Sequence, residues 1–155
     1  CDNWMRGHMT SEEVHRIIAE RLDVSYESIW EIFQHDCIRL DVSIPILNAL
    51  NLLKSKYNII LATDNMDSFD RFTRPANPKL ETTFDVIHNS WPRRQLKWDN
   101  DGEYFAKQID SQGVKAGDCL LIDDSRKVCD VFEGVGGKVF CVSGGSEVLG
   151  VLTQL

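Results

Sequence analysis

Several things are scarce in this sequence, and each shortage removes a class of protein. No apolar run approaches the roughly 18–20 residues that span a bilayer, so no membrane-spanning helix is expected. Cys1 to Met9 is polar and lacks the apolar centre of a signal peptide. Basic residues are outnumbered, 17 Lys and Arg against 24 Asp and Glu. The resulting net charge of −7 argues against strong non-specific binding of nucleic acid. The cysteines (Cys1, Cys37, Cys119, Cys129, Cys141) form no CxxC pair, which removes a zinc knuckle or a thioredoxin-like motif and fits a reducing cytoplasm. Cys119 and Cys141 fall in apolar runs and are expected to be small buried hydrophobes. His8, His15, His35 and His88 show no metal-ligand spacing and read as surface or packing residues. Internal repeats and low-complexity segments are also absent.

What remains is an ordinary globular composition, 43% hydrophobic and 26% charged over 155 residues, enough for a domain with its own core. Thr10 and Glu13 fit a capping box opening a helix that carries Val14, Ile17, Ile18 and Leu22. A second helix is expected after Ser25, with Ile29, Ile32 and Phe33 on one face. Pro45 suits the first turn of a helix with Ile46, Leu47, Leu50 and Leu53. From there strands and helices alternate. NIILA (Asn58–Ala62), CLLI (Cys119–Ile122) and KVFCV (Lys138–Val142) read as strands buried on both faces, and FDVI (Phe84–Ile87) as a weaker one. Helices are expected over Gly102–Gln112, near Arg126–Phe132 and near Glu147–Leu152.

That rhythm predicts an α/β fold, a Rossmann-like three-layer arrangement with helices on both sides of a parallel sheet. Residues 1–41 form a small helical cap segment and residues 42–155 the core. Ligands in such folds bind at the carboxyl ends of the strands. The residues there are Thr63-Asp64-Asn65, His88-Asn89-Ser90, Asp123-Asp124-Ser125 and Ser143-Gly144-Gly145.

Asp123-Asp124 places two carboxylates at the end of an apolar strand, where they repel one another. A divalent cation relieves that repulsion, and hard oxygen ligands suit Mg²⁺. The alternative is helix capping by Asp-Ser. At the end of NIILA, the Thr63 hydroxyl and free backbone N–H groups can hold a phosphate oxygen; the alternative is a plain turn, for which Asn65 is well suited. Lys97 can neutralise a phosphate, or it is a solvated surface lysine. Arg93 and Arg94 could meet an anionic substrate, although a solvated basic patch is the simpler reading. Trp4, Trp30, Trp91 and Trp98 could line a pocket, with Trp30 better explained by helix packing. The helix after Asp124 should turn Asp130 away from a metal.

In combination these residues have a specific order: an apolar strand ending in Thr63, then Lys97, then an apolar strand ending in Asp123-Asp124. Over Asn58 to Val142 this resembles the second, third and fourth motifs of the haloacid dehalogenase-like (HAD) hydrolases. The resemblance implies that Thr63, Asp64, Asn65 and Lys97 bind substrate and that Thr63 holds the phosphoryl group. It also implies that Lys97 stabilises charge in catalysis and that Asp123 and Asp124 ligate Mg²⁺. The helices before Asp41 would then be a reduced cap. The family's first motif, DxDx(T/V), has no counterpart here, and Asp2 has no strand to deliver it. In the family the strand bearing that motif lies between those ending at Thr63 and Asp123. Roughly ten to fifteen further residues upstream are therefore expected to hold it.

The expected function is Mg²⁺-dependent hydrolysis of a small phosphorylated substrate, a phosphate monoester, through an aspartyl-phosphate. The alternatives are a catalytically inactive binding domain and a dehalogenase-type hydrolase. A receiver domain is set aside because its acidic pair comes early in the chain rather than late.

Overall fold

Two short parallel ladders organise the chain, which a computed structural model describes from Cys1 to Leu155. In chain order the first elements are α1 (Asp2–Met5), α2 (Ser11–Leu22), α3 (Tyr26–Ile38), α4 (Ile44–Leu53) and β1 (Ile60–Thr63). A π-helical stretch (Phe69–Thr73) runs into α5 (Arg74–Ala76), followed by α6 (Lys79–Thr83), β2 (Val86–Asn89) and α7 (Ser90–Arg93). The remainder is α8 (Glu103–Gln112), β3 (Leu120–Asp123), α9 (Arg126–Gly134), β4 (Lys138–Cys141) and α10 (Gly145–Leu152). β1 pairs with β2 from Ile60↔Val86 to Thr63↔Asn89, and β3 with β4 from Leu120↔Lys138 to Asp123↔Cys141. The two pairs are separate two-stranded sheets. Helical connections between parallel strands make this an α/β fold, as expected.

The chain divides into two compact units: Cys1–Val42 with Asn58–Gln95, and Ser43–Tyr57 with Leu96–Leu155. In the first, α2 opens on the expected capping box: the Thr10 hydroxyl accepts from Glu13 N–H at 3.3 Å, and the Glu13 carboxylate accepts from Thr10 N–H at 2.7 Å. The buried face of α2 differs from expectation. Ser11, His15 and Ala19 point inward, while Ile17, Ile18 and Leu22 are exposed. The cause is an aromatic cluster on His15, whose ring lies 4.1 Å from Phe33, 5.6 Å from Trp30 and 5.8 Å from Trp4. The inner face of α3 accordingly carries Trp30 and Phe33, and Ile32 is 61% exposed. Ser25 caps α3 by accepting from Ser28 N–H. The widened π-helical turn ends two residues before Pro75, which cannot donate a helical hydrogen bond.

In the second unit Pro45 stands in the first turn of α4, with Leu47 and Leu53 buried. The core joins α8 to α9: the Phe105 ring meets Phe132 edge-on at 4.8 Å, and Val128 and Cys129 are almost wholly buried. Gly102, at φ +90°, precedes α8; a Cβ there would stand 2.9 Å from methyl carbons of Val131 and Val135.

The strands are less buried than expected. β1 is half-buried throughout, and Leu120 and Phe140 are 37% and 43% exposed. A two-stranded sheet leaves one edge of each strand unpaired, so continuous apolar sequence does not produce continuous burial. Cys141 is exposed and Cys119 half-buried, contrary to expectation; Cys129, on α9, is the buried thiol. No helix is long and apolar enough to cross a membrane.

Candidate functional site

Thr63 closes β1 opposite Asn89, and the short loop that follows is held by side chains from the end of β2. The Asn89 amide nitrogen donates to the Met66 carbonyl at 2.9 Å and to the Asp70 carboxylate at 2.8 Å. Its carbonyl oxygen accepts the Asn65 N–H at 3.2 Å, and Ser90 Oγ accepts the same N–H at 3.0 Å. Ser90 Oγ also lies 3.1 Å from the Asn65 carbonyl and 2.8 Å from that of Met5. The Met66 N–H turns back onto Asn65 Oδ1 at 3.0 Å. The Asn65 and Met66 amides are thus taken within the chain, which corrects the expectation of free N–H groups there. The Thr63 hydroxyl takes no part in this net.

Beside the loop is a centre that the sequence did not announce. Asp67, 3% exposed, accepts from Trp4 Nε1 at 3.0 Å, Ser11 Oγ at 2.6 Å and Arg71 Nη1 at 2.8 Å. Arg71 in turn pairs with Glu12 at 2.6 Å. Burial pushes the Asp67 carboxyl up, but the donors from Ser11, Trp4 and Arg71 outweigh it and leave the group below the usual carboxylate range. The Arg71 guanidinium is raised, first by Glu12, and stays charged. The i, i+4 spacing of Asp67 and Arg71 was legible; Trp4 and Ser11, far away in sequence, were not.

The end of β3 is built from charge. Lys97 Nζ lies 2.6 Å from Asp123 Oδ2, with side chains only 12% and 8% exposed. Asp123 Oδ1 accepts the Ser125 N–H at 2.9 Å. The Asp123 carbonyl accepts from Val142 N–H at 3.0 Å and Cys129 Sγ at 3.5 Å. Asp124 is exposed and makes no ion pair. The repulsion expected of two adjacent carboxylates is therefore met in part by Lys97 and in part by solvent. The capping alternative finds no support, because α9 begins without a side-chain cap.

Mg²⁺ characteristically takes one or two carboxylates and fills its remaining positions with water and phosphate oxygens. An open Asp124 beside Asp123 suits that mode. An enclosed metal is not suited, since no group of three His, Cys, Asp or Glu side chains is assembled.

The other candidates have structural places. Arg93, Arg71, Arg74, His88, Trp91 and Pro92 line much of a cleft of about 440 Å³. Burial, and then the charge of Arg93, holds His88 below its ordinary pKa. Trp91 Nε1 donates to the Met9 carbonyl, and the Trp98 ring sits 4.8 Å from Lys127 Nζ. Asp130 pairs loosely with Arg126 in solvent. Glu147 closes the turn after β4 by accepting from the Ser143 N–H and hydroxyl, each at 2.7 Å.

Parallel strand pairs, with a threonine closing β1 and an acidic pair at the end of β3, sit in a fold that solved structures share: it is the fold of HAD family enzymes. A HAD family enzyme of Bacteroides thetaiotaomicron, in complex with magnesium and inorganic phosphate, is 22% identical. It covers 92% of this chain and 74% of its own, with a TM-score of 0.75. A predicted HAD-like hydrolase of Porphyromonas gingivalis is 17% identical, covering 98% of this chain and 76% of its own, with a TM-score of 0.77. At such identities the likeness is one of fold. No family model matches the sequence. No curated protein matches it either.

Proposed function

We propose that this chain carries the phosphate- and metal-binding residues of a Mg²⁺-dependent phosphohydrolase acting on a small phosphate monoester through an aspartyl-phosphate. The observation that carries the reading is the buried Lys97–Asp123 pair beside the open Asp124 at the end of β3. The fold shared with an enzyme that holds magnesium and phosphate supports it. In this reading the chain is a Rossmann-like three-layer core over 42–155 with a reduced cap over 1–41, working in the cytoplasm.

Each residue then has a task. Asp124 offers a carboxylate oxygen to Mg²⁺, and Asp123, held in place by Lys97 and the Ser125 amide, stands beside it. Mg²⁺ held there would supply a positive centre that stabilises negative charge on phosphoryl oxygens. The Lys97 ammonium, paired with Asp123 and mostly shielded from water, would favour the anionic transition state. The Thr63 hydroxyl donates to a phosphoryl oxygen, with Asp64 and Asn65 shaping the loop. An aspartate of DxD type would be the nucleophile: it forms a bond to phosphorus as the ester oxygen leaves, and water then releases phosphate.

A second reading, a HAD-like domain that binds a phosphorylated ligand without turning it over, keeps the same contacts. Dehalogenation is less favoured because it makes no use of the acidic pair. A phosphatase screen with and without Mg²⁺ tests the proposal. Metal-dependent release of phosphate, lost on Asp123→Asn with Asp124→Asn, is expected; activity that survives both substitutions contradicts it.

A further inference from the structure

We infer that Asn89, assisted by Ser90, is a positioning residue that fixes the loop after β1 so that phosphate recognition there runs through the Thr63 hydroxyl. The inference rests on the functional reading above and names residues to which that reading gives no role. Asn89 is 3% exposed and Ser90 1% exposed, and Asn89 stands opposite Thr63 in the ladder.

The hydrogen bonds fix which way the Asn89 amide faces. Its nitrogen meets two acceptors, the Asp70 carboxylate and the Met66 carbonyl, so its oxygen must face the Asn65 N–H. One side chain thereby grips the loop at both ends, by the amide of Asn65 and by the carbonyl of Met66. Ser90 adds a second acceptor for the same Asn65 N–H. The Met66 N–H is satisfied by Asn65 itself. The Asn65 and Met66 amides are consumed, and the Thr63 hydroxyl is a donor that this net does not use.

A net that merely satisfied buried polar groups would make the same bonds, so the test has to separate support from positioning. Binding of inorganic phosphate to the full chain in saturating Mg²⁺ is measured for the unmodified protein and for Thr63→Val, Asn89→Ala and their combination. Exchange of the Asn65 amide is followed alongside. Asn89→Ala is expected to weaken phosphate about tenfold and to speed Asn65 exchange. It should add nothing further in the Thr63→Val background, because both changes act through one hydroxyl. Ser90→Ala, which removes only the second acceptor for the Asn65 N–H and leaves every Asn89 contact in place, covers the case that Asn89→Ala fails to fold: it is expected to speed Asn65 exchange and weaken phosphate by a smaller factor, again with nothing added in the Thr63→Val background. Phosphate binding unchanged in Asn89→Ala, or losses that simply add to those of Thr63→Val, would overturn the inference alone. No phosphate binding by the unmodified chain would overturn the functional reading and the inference with it.

Discussion

The two parallel strand pairs end in opposite chemistries. At the close of β1 and β2 the loop is held by the Asn89 amide and the Ser90 hydroxyl, with the Asp70 carboxylate taking one Asn89 N–H and the Asp67–Arg71 pair alongside. At the close of β3 and β4 the holding contact is itself ionic, Lys97 on Asp123. A neutral clamp holds shape and leaves an uncharged hydroxyl, Thr63, outside its net. An ionic clamp holds charge and leaves a carboxylate, Asp124, unpaired. In the function proposed above the hydroxyl serves phosphate and the carboxylate serves Mg²⁺, so the contrast bears on that proposal as well as on stability.

The sharpest way to break the comparison is to remove one charge. Lys97→Ala leaves the Asp123 carboxylate buried and unpaired, and should cost about 3–5 kcal/mol in urea unfolding. Asp67→Ala strands the Ser11 and Trp4 donors and should cost about 3 kcal/mol. That contribution has a defined pH dependence. The folded Asp67 pKa lies below its unfolded value, so its stabilisation is present at neutral pH and is lost as pH falls from the ordinary carboxylate range through the lowered value. A pH series of unfolding midpoints should therefore show a flatter acid limb in Asp67→Ala; identical limbs would contradict the assignment. Thr63→Val and Asp124→Asn should each shift stability by less than about 0.5 kcal/mol, because neither group supports the fold. The smallest effect is chemical. Cys141, exposed, should be alkylated while Cys129 stays silent, since burial and then Cys141 push its thiol up to about 12. Mass mapping of the labelled peptides decides it.

Much of this was legible in sequence where the cause is local. Thr10 with Glu13, Ser25 and Pro45 set helix starts through bonds and angles within a few residues. The order Thr63, Lys97, Asp123-Asp124 survives as residues at strand ends or beside them. What was not legible depends on distant partners. The inward turn of Ser11, His15 and Ala19 follows from aromatic rings on other helices, and Asp67 takes donors from Trp4 and Ser11. Strand burial was overestimated because an apolar run reports what a strand tolerates, whereas burial depends on how many neighbours it has. Lys97 was read as a phosphate contact, and its pairing with Asp123 appears only in three dimensions.

Calorimetric titration of Mg²⁺ into the chain in the presence of phosphate tests the metal reading most directly. A single saturable site, weakened at least about tenfold by Asp124→Asn without a change in the unfolding midpoint, is expected. Mg²⁺ binding of equal strength in Asp124→Asn and the unmodified chain would contradict it.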